Sequence, residues 1–226
     1  MNLSNFLNQL GIWAFDSLTS IDLIAASTTA FCGAILVMRP DHRREWTTVG
    51  IVGLAVLSGI GGTLVRDLLL LQTPSALTNP WYLILCFLAG VLGLAIIKRS
   101  NPERLANILE FMLAFSLPWF AIVGVQKSLA EGLPLIGVIF IAVVGATSGR
   151  YFIDIASNVT PIHFTNGGWF LGSALLAAVI YLILNARDIS IWWATISAWL
   201  AAFLFRYLAL RLNWEKRHEF SKVIKT

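Results

Sequence analysis

Gly59-Ile60-Gly61-Gly62-Thr63-Leu64-Val65-Arg66-Asp67, followed after six residues by Pro74, decides how this chain is built, because the chain repeats it. The second version reads Ala146-Thr147-Ser148-Gly149-Arg150-Tyr151-Phe152-Ile153-Asp154 and again runs through six residues to a proline, Pro161. Both stretches lie inside or at the ends of long apolar runs. Small residues, Arg and Asp are therefore placed twice at membrane depth, where a charge is costly unless paired or wetted. A repeated, charged break in a membrane helix points to transport.

Composition settles the solvent. Of the 226 residues, 58% are hydrophobic and 12% charged, with a mean hydropathy of +0.78. Soluble domains carry about 25% charged residues, so this is an integral membrane protein. The net charge of +4 sits in short loops and the tail, where it serves topology and lipid headgroups rather than nucleic acid. Cys32 and Cys86 fall in apolar runs without metal-ligand neighbours and read as small buried hydrophobes. No metal site and no cofactor are expected.

A spanning helix needs about 20 mostly apolar residues, and that template fits seven times: Ile21 to Met38, Thr48 to Leu71, Trp81 to Ile97, Leu105 to Val125, Leu133 to Ala156, Trp169 to Leu184 and Ile189 to Arg206. Trp46, Trp81, Tyr82, Trp169 and Trp192 at the edges suit an aromatic belt. In residues 1–20, Leu3, Phe6, Leu7, Leu10, Trp13 and Leu18 recur at near-helical spacing among Asn and Ser, as in a helix lying in the interface. A cleaved signal peptide is the competing reading, but no Lys or Arg precedes the apolar part and no clear cleavage site follows.

Arg39, Arg43 and Arg44, then Lys98, Arg99 and Arg104, then the tail from Arg206 to Lys225 all fall on one side of a seven-span chain. The positive-inside rule places that side in the cytoplasm and the N-terminus outside, in a cell inner membrane. The expected fold is thus all-α: repeat one over residues 21–97, repeat two over 105–184, a last span over 189–206 and a basic cytoplasmic tail over 207–226. Because each triplet of spans is odd in number, the second runs upside down relative to the first. Phe31-Cys32-Gly33-Ala34 in span one echoes Ala121-Ile122-Val123-Gly124-Val125 in span four around the shared glycine. Inverted repeats commonly hold a site near the midplane on broken helices.

Gly59, Gly61 and Gly62 lower the cost of bending span two and expose carbonyls to a cation or a water column. Gly145 and Gly149 do the same in span five, with Thr147 and Ser148 as further oxygen ligands. Close helix packing is the alternative use of such small residues. Arg66 and Asp67 are about 100° apart on a helix, so they are expected to find partners on other helices, whereas Arg150 and Asp154 share a face. A network of Arg66, Asp67, Arg150 and Asp154 across the repeat axis would keep each charge compensated; a structural clamp is the other reading. Asp22, Glu110, Gln126, Lys127 and Arg206 are further polar intruders, most of them near span ends. Pro118 is expected to kink span four. His42, His163 and His218 lie in loops or the tail, with no nucleophile-base spacing and no P-loop, which argues against an enzyme.

The Gly-Gly-Thr-Leu-Val-Arg-Asp stretch, the trailing Pro74, the second copy ending in Asp154 and Pro161, and the 3+3+1 layout resemble the prokaryotic trimeric intracellular cation (TRIC) channels, a family also filed as glycine transporters. The family's pattern is Gly-Gly-Gly-x-x-Arg-Asp in each repeat. Here Thr63 replaces the third glycine of copy one. In copy two, Ser148 and Gly149 stand for the first two glycines, Arg150 for the third and Ile153 for the Arg. The resemblance implies a homotrimer with a pore in each subunit that conducts potassium and, less selectively, sodium. It implies bends in spans two and five at Gly61, Gly62 and Gly149 that line the pore, which Arg66, Asp67 and Asp154 border. It makes Lys127 a candidate for gating. A secondary transporter of a small amino acid such as glycine fits the same inverted repeat, and a membrane scaffold is the third reading. Anionic lipid at the basic tail is an expected partner.

Overall fold

The computed structural model describes residues 17–37, 46–97, 99–161 and 169–212. The expected interfacial segment before Ser17, the basic residues Arg39, Arg43, Arg44 and Lys98, all three histidines and the tail beyond Leu212 lie outside the described residues.

Among the described residues eight helices follow one another: α1 (Ser17–Val37), α2 (Thr48–Leu69), the short α3 (Ser75–Thr78), α4 (Pro80–Ile97), α5 (Pro102–Ala130), α6 (Leu135–Ala156), α7 (Phe170–Asn185) and α8 (Ile191–Arg211). Among the described residues no strand forms. Of the described helices six, α1, α2, α4, α5, α6 and α8, are long and apolar enough to cross a membrane. The expected sixth span, α7, is shorter at 16 residues. Residues 17–20, expected at the interface, continue α1, and α5 extends past the expected Val125 to carry Lys127 on its last turn.

Local chemistry sets several ends. Thr47 caps α2, its hydroxyl accepting from the Gly50 amide at 3.1 Å, which satisfies one of the orphan amides of a first turn. Pro102 opens α5 where its missing N–H costs nothing. Helices α2 and α6 end alike. Leu71 and Asn158 adopt φ of 56°, the Gln72 amide donates back to the Asp67 carbonyl at 2.9 Å, and the Val159 amide donates to the Asp154 carbonyl at 2.8 Å. These are Schellman closures made without glycine, at matching places in the two motif copies.

At the centre α2 packs on α6, with α1 and α4 against one flank of α2 and α5 and α7 against α6; α1 also touches α5, and α8 lies on α5 and α7. Small residues permit these approaches. Ala25, Ala26 and Ala30 of α1 are fully buried, as are Ala194, Ala198 and Ala202 of α8 with Ala174, Ala177 and Ala178 of α7. A Cβ on Gly33 of α1 would stand 3.1 Å from the Ala55 Cα of α2, and one on Gly124 of α5 would stand 2.8 Å from the Ala142 Cα of α6. The two glycines that echo each other in sequence therefore make corresponding contacts.

A buried charge cluster and a glycine seam

The charges of the first motif are gathered at one end of the bundle. Arg66, on the last turn of α2, is wholly buried. Its Nη1 and Nη2 donate to Oδ1 and Oδ2 of Asp22 on α1 at 2.9 and 2.8 Å, and its Nε donates to Asp67 Oδ1 at 2.9 Å. Adjacent residues do meet here: the long arginine arm curls back to the next carboxylate, contrary to the expectation from helical spacing. The Tyr82 hydroxyl of α4 donates to Asp22 Oδ2 at 2.8 Å.

Asp67 holds the far side. Its Oδ2 accepts from the Ser75 amide and hydroxyl, both at 2.8 Å, so the carboxylate ties the first residue of α3 to the end of α2. Lys127, on the last turn of α5, places Nζ 3.0 Å from Asp67 Oδ1 and 2.7 Å from Ser75 Oγ. It does not snorkel outward; its side chain is 15% exposed, against none of Asp67. Two carboxylates and two cations thus balance with their hydrogen-bonding capacity largely used, which is the condition for keeping ions in a low-dielectric interior.

The second motif is organised differently. Arg150 Nε lies 3.5 Å from Asp154 Oδ2, one turn along α6, and both residues are buried. The pairing runs Arg66 to Asp22 and Asp67, and Arg150 to Asp154, rather than as one network joining the motif copies. Physical cause is visible on α1 and α5. Asp22 precedes Gly33 by as many residues as Leu113 precedes Gly124, so α5 has a buried leucine where α1 has its acid. An arginine at Ile153 would lack that partner; at Arg150 it reaches Asp154 instead. Arg206 of α8 is also buried, with its guanidinium carbon 5.5 Å from the Phe170 ring centre.

The motif glycines form the α2–α6 seam. A Cβ on Gly62 would stand 2.5 Å from the Gly145 carbonyl oxygen, one on Gly61 would stand 2.5 Å from the Phe152 ring and 3.0 Å from the Gly149 Cα, and one on Gly149 would run into the Ser58 carbonyl oxygen. Gly59 fits against the Ala26 carbonyl and Cys86 Sγ. Both helices run unbroken through these residues, and the glycines are used for backbone contact across the seam. The hydroxyls nearby mostly turn onto their own helix: Thr147 Oγ1 donates to the Val143 carbonyl at 3.0 Å and Ser148 Oγ to the Val144 carbonyl at 2.5 Å. Thr63 Oγ1 is buried without a partner.

Three members of the cluster escaped the sequence reading as site residues. Asp22 was visible as an acid inside an apolar run, Tyr82 resembled a belt aromatic, and Ser75 carried no signal beyond following Pro74.

Fold and cluster define a multi-pass, all-helical membrane protein held by a glycine seam and a neutral cluster of buried charges. The chain belongs to the family described as Glycine transporter, whose model matches residues 19–98 and 110–186. In structure it is similar to the TRIC trimeric intracellular cation channel orthologue from Rhodobacter sphaeroides, with a TM-score of 0.78 and 25% identity over 87% of this chain and 98% of that one. A prokaryotic TRIC channel crystallised in 0.5 M KCl shares the fold, with a TM-score of 0.78 and 24% identity over 87% of this chain and 97% of that one. The likeness to prokaryotic TRIC channels read from the motifs is therefore shown. A UPF0126 membrane protein of Deinococcus radiodurans is 28% identical over 142 residues, 62% of this chain and 63% of that relative. The match thus spans less than two thirds of the relative's length.

Proposed function

We propose that this protein is a monovalent cation channel, permeable to potassium and less selectively to sodium, acting as a homotrimer with a pathway inside each subunit. The observation that carries this reading is the likeness in fold, over nearly the whole of both chains, to a protein named as a trimeric intracellular cation channel. The chain is read as a 3+3 inverted repeat, α1, α2 and α4 followed by α5, α6 and α7, with α8 added. The matching Schellman ends at Leu71 and Asn158 and the matching Gly33–Ala55 and Gly124–Ala142 contacts support that reading. The bias of basic residues puts the N-terminus outside and the tail in the cytoplasm of a cell inner membrane.

The pathway borders α2 and α6. Asp67 is its acidic element, and Lys127 holds the position a passing cation would take beside Oδ1. Conduction then requires Lys127 to leave Asp67 and the α2–α6 seam to part, because Gly61 and Gly149 meet too closely for an ion to pass between them. The conformation described here is the closed one.

A glycine carrier is the second reading, favoured by the description of the family and by a cluster that offers both charges needed to hold an ammonium and a carboxylate. Planar-bilayer recording under a potassium chloride gradient, with Asp67→Asn and Lys127→Gln variants and a parallel labelled-glycine uptake assay, separates the two. Unitary currents reversing near the potassium potential and altered by both variants support the channel. Silent bilayers with saturable glycine uptake overturn it in favour of the carrier.

A further inference from the structure

A cavity of about 500 Å³ lies behind the charge cluster, between the start of α1, the end of α5, the end of α7 and the start of α8. Its volume is in the range of small-molecule sites. Its walls are Leu18, Ile21, Leu129 and Ile191, and its polar groups are Gln126, Tyr181 and Thr195, with Asn185 and Trp192 also lining it. Trp192 and Asn185 are exposed, so the cavity opens on that side.

The polar groups are already arranged among themselves. Gln126 Nε2 donates to the Tyr181 hydroxyl at 3.0 Å and to Thr195 Oγ1 at 3.2 Å. Both amide hydrogens are thereby used. The Gln126 carbonyl oxygen is left to accept, and the two hydroxyl protons are left to donate. Among the described residues no side chain lining the cavity carries a charge. An ion or a zwitterion entering it would lose water with no counter-charge in return. An alcohol, which offers one donor and accepts in return, matches what remains.

We propose that this cavity binds a neutral amphiphile with a hydroxyl head, of the monoacylglycerol class, with the head on Gln126 and Tyr181 and the hydrocarbon leaving past Trp192 into the bilayer. The site is separate from the cation pathway, yet joined to it through the chain: Ile21 and Gln126, which line the cavity, directly precede Asp22 and Lys127, which build the cluster. Occupancy therefore bears on the two helix ends that hold Arg66 and Asp67 in place.

The test uses the full chain in phosphatidylcholine nanodiscs with a photoreactive 1-monoolein probe and peptide mapping by mass spectrometry. Labelling confined to the peptides around Leu129 and Trp192, abolished by excess 1-monoolein, is expected. Oleate, with the same chain and a charged head, should compete at least tenfold more weakly. Gln126→Leu should weaken labelling about tenfold, and Ala130→Trp, which fills the cavity from its exposed rim and needs no change in the core, should do the same. Labelling spread evenly over the exposed helix faces, equal competition by oleate, or full labelling of a folded Ala130→Trp protein would each overturn the proposal.

Discussion

Lys127 Nζ lies 3.0 Å from Asp67 Oδ1, so the last turn of α5 is fastened to the last turn of α2 by an ion pair whose carboxylate is wholly buried and whose ammonium is nearly so. Arg66 shares the same carboxylate oxygen. Asp67 can therefore lose one cation without being stranded, whereas Asp22 is ion-paired to Arg66 alone among the described residues.

That asymmetry orders the variants. Arg66→Ala leaves two buried carboxylates short of a cation and should cost about 3–5 kcal/mol, the range for breaking a buried pair. Lys127→Ala leaves Asp67 held by Arg66 and Ser75 and should cost about 1.5–3 kcal/mol, the range for a hydrogen bond to a charged group. Thermal unfolding of the two proteins in detergent reads the difference, and equal losses would contradict the shared-oxygen geometry.

Tyr82→Phe removes a single hydrogen bond to a charged acceptor and should destabilise by about 1.5–3 kcal/mol. In Asp22→Asn the acceptor is no longer charged, so the same tyrosine change should cost less there. A double-mutant cycle on unfolding free energies tests whether the hydroxyl acts through Asp22.

Glycines inside and outside the α2–α6 seam should respond in opposite ways. Gly149→Ala drives a methyl into the Ser58 carbonyl and Gly62→Ala drives one into the Gly145 carbonyl, both backbone atoms that cannot swing aside; each should lower stability by at least 1–3 kcal/mol, as overpacking does. At Gly53 nothing lies within 4 Å of the added methyl, and Ala there should stabilise α2 by roughly 0.5–1 kcal/mol. Melting temperatures of the three variants give the signs directly.

Arg150→Ala should destabilise as well, because it removes the cation 3.5 Å from the buried Asp154. Moving the arginine to the position the first motif prefers, by combining Arg150→Thr with Ile153→Arg, should be worse than Arg150→Thr alone. Ile153 is fully buried within the main apolar cluster, and Leu113 offers no acid. Expression and monodispersity on size exclusion would report the failure.

Much of the helical framework was legible because hydrophobic run length and helix length obey the same bilayer constraint. Tyr82 and Asp22 show where legibility stopped. A hydrogen bond between residues 60 apart in the chain leaves no periodic trace, and Tyr82 satisfies a belt rule equally well. Gly61 and Gly62 admitted two uses, bending or close approach, and the close approach becomes visible only in the position of Gly145 and Gly149 across the seam. Arg66 defeated the angular argument for a different reason: its arm is long enough to turn back on Asp67, a freedom that Cβ directions do not encode.

The reach from Asp22 to Arg66 also bears on biosynthesis. They are 44 residues apart, so α1 emerges from the ribosome bearing an acid whose counter-ion has not yet been made. Released alone into lipid, that helix would carry an uncompensated carboxylate; retained until α2 arrives, it enters already neutralised. The first two helices are thus suited to leave the insertion machinery as a hairpin, and a ribosome paused between them would hold a segment that resists partitioning.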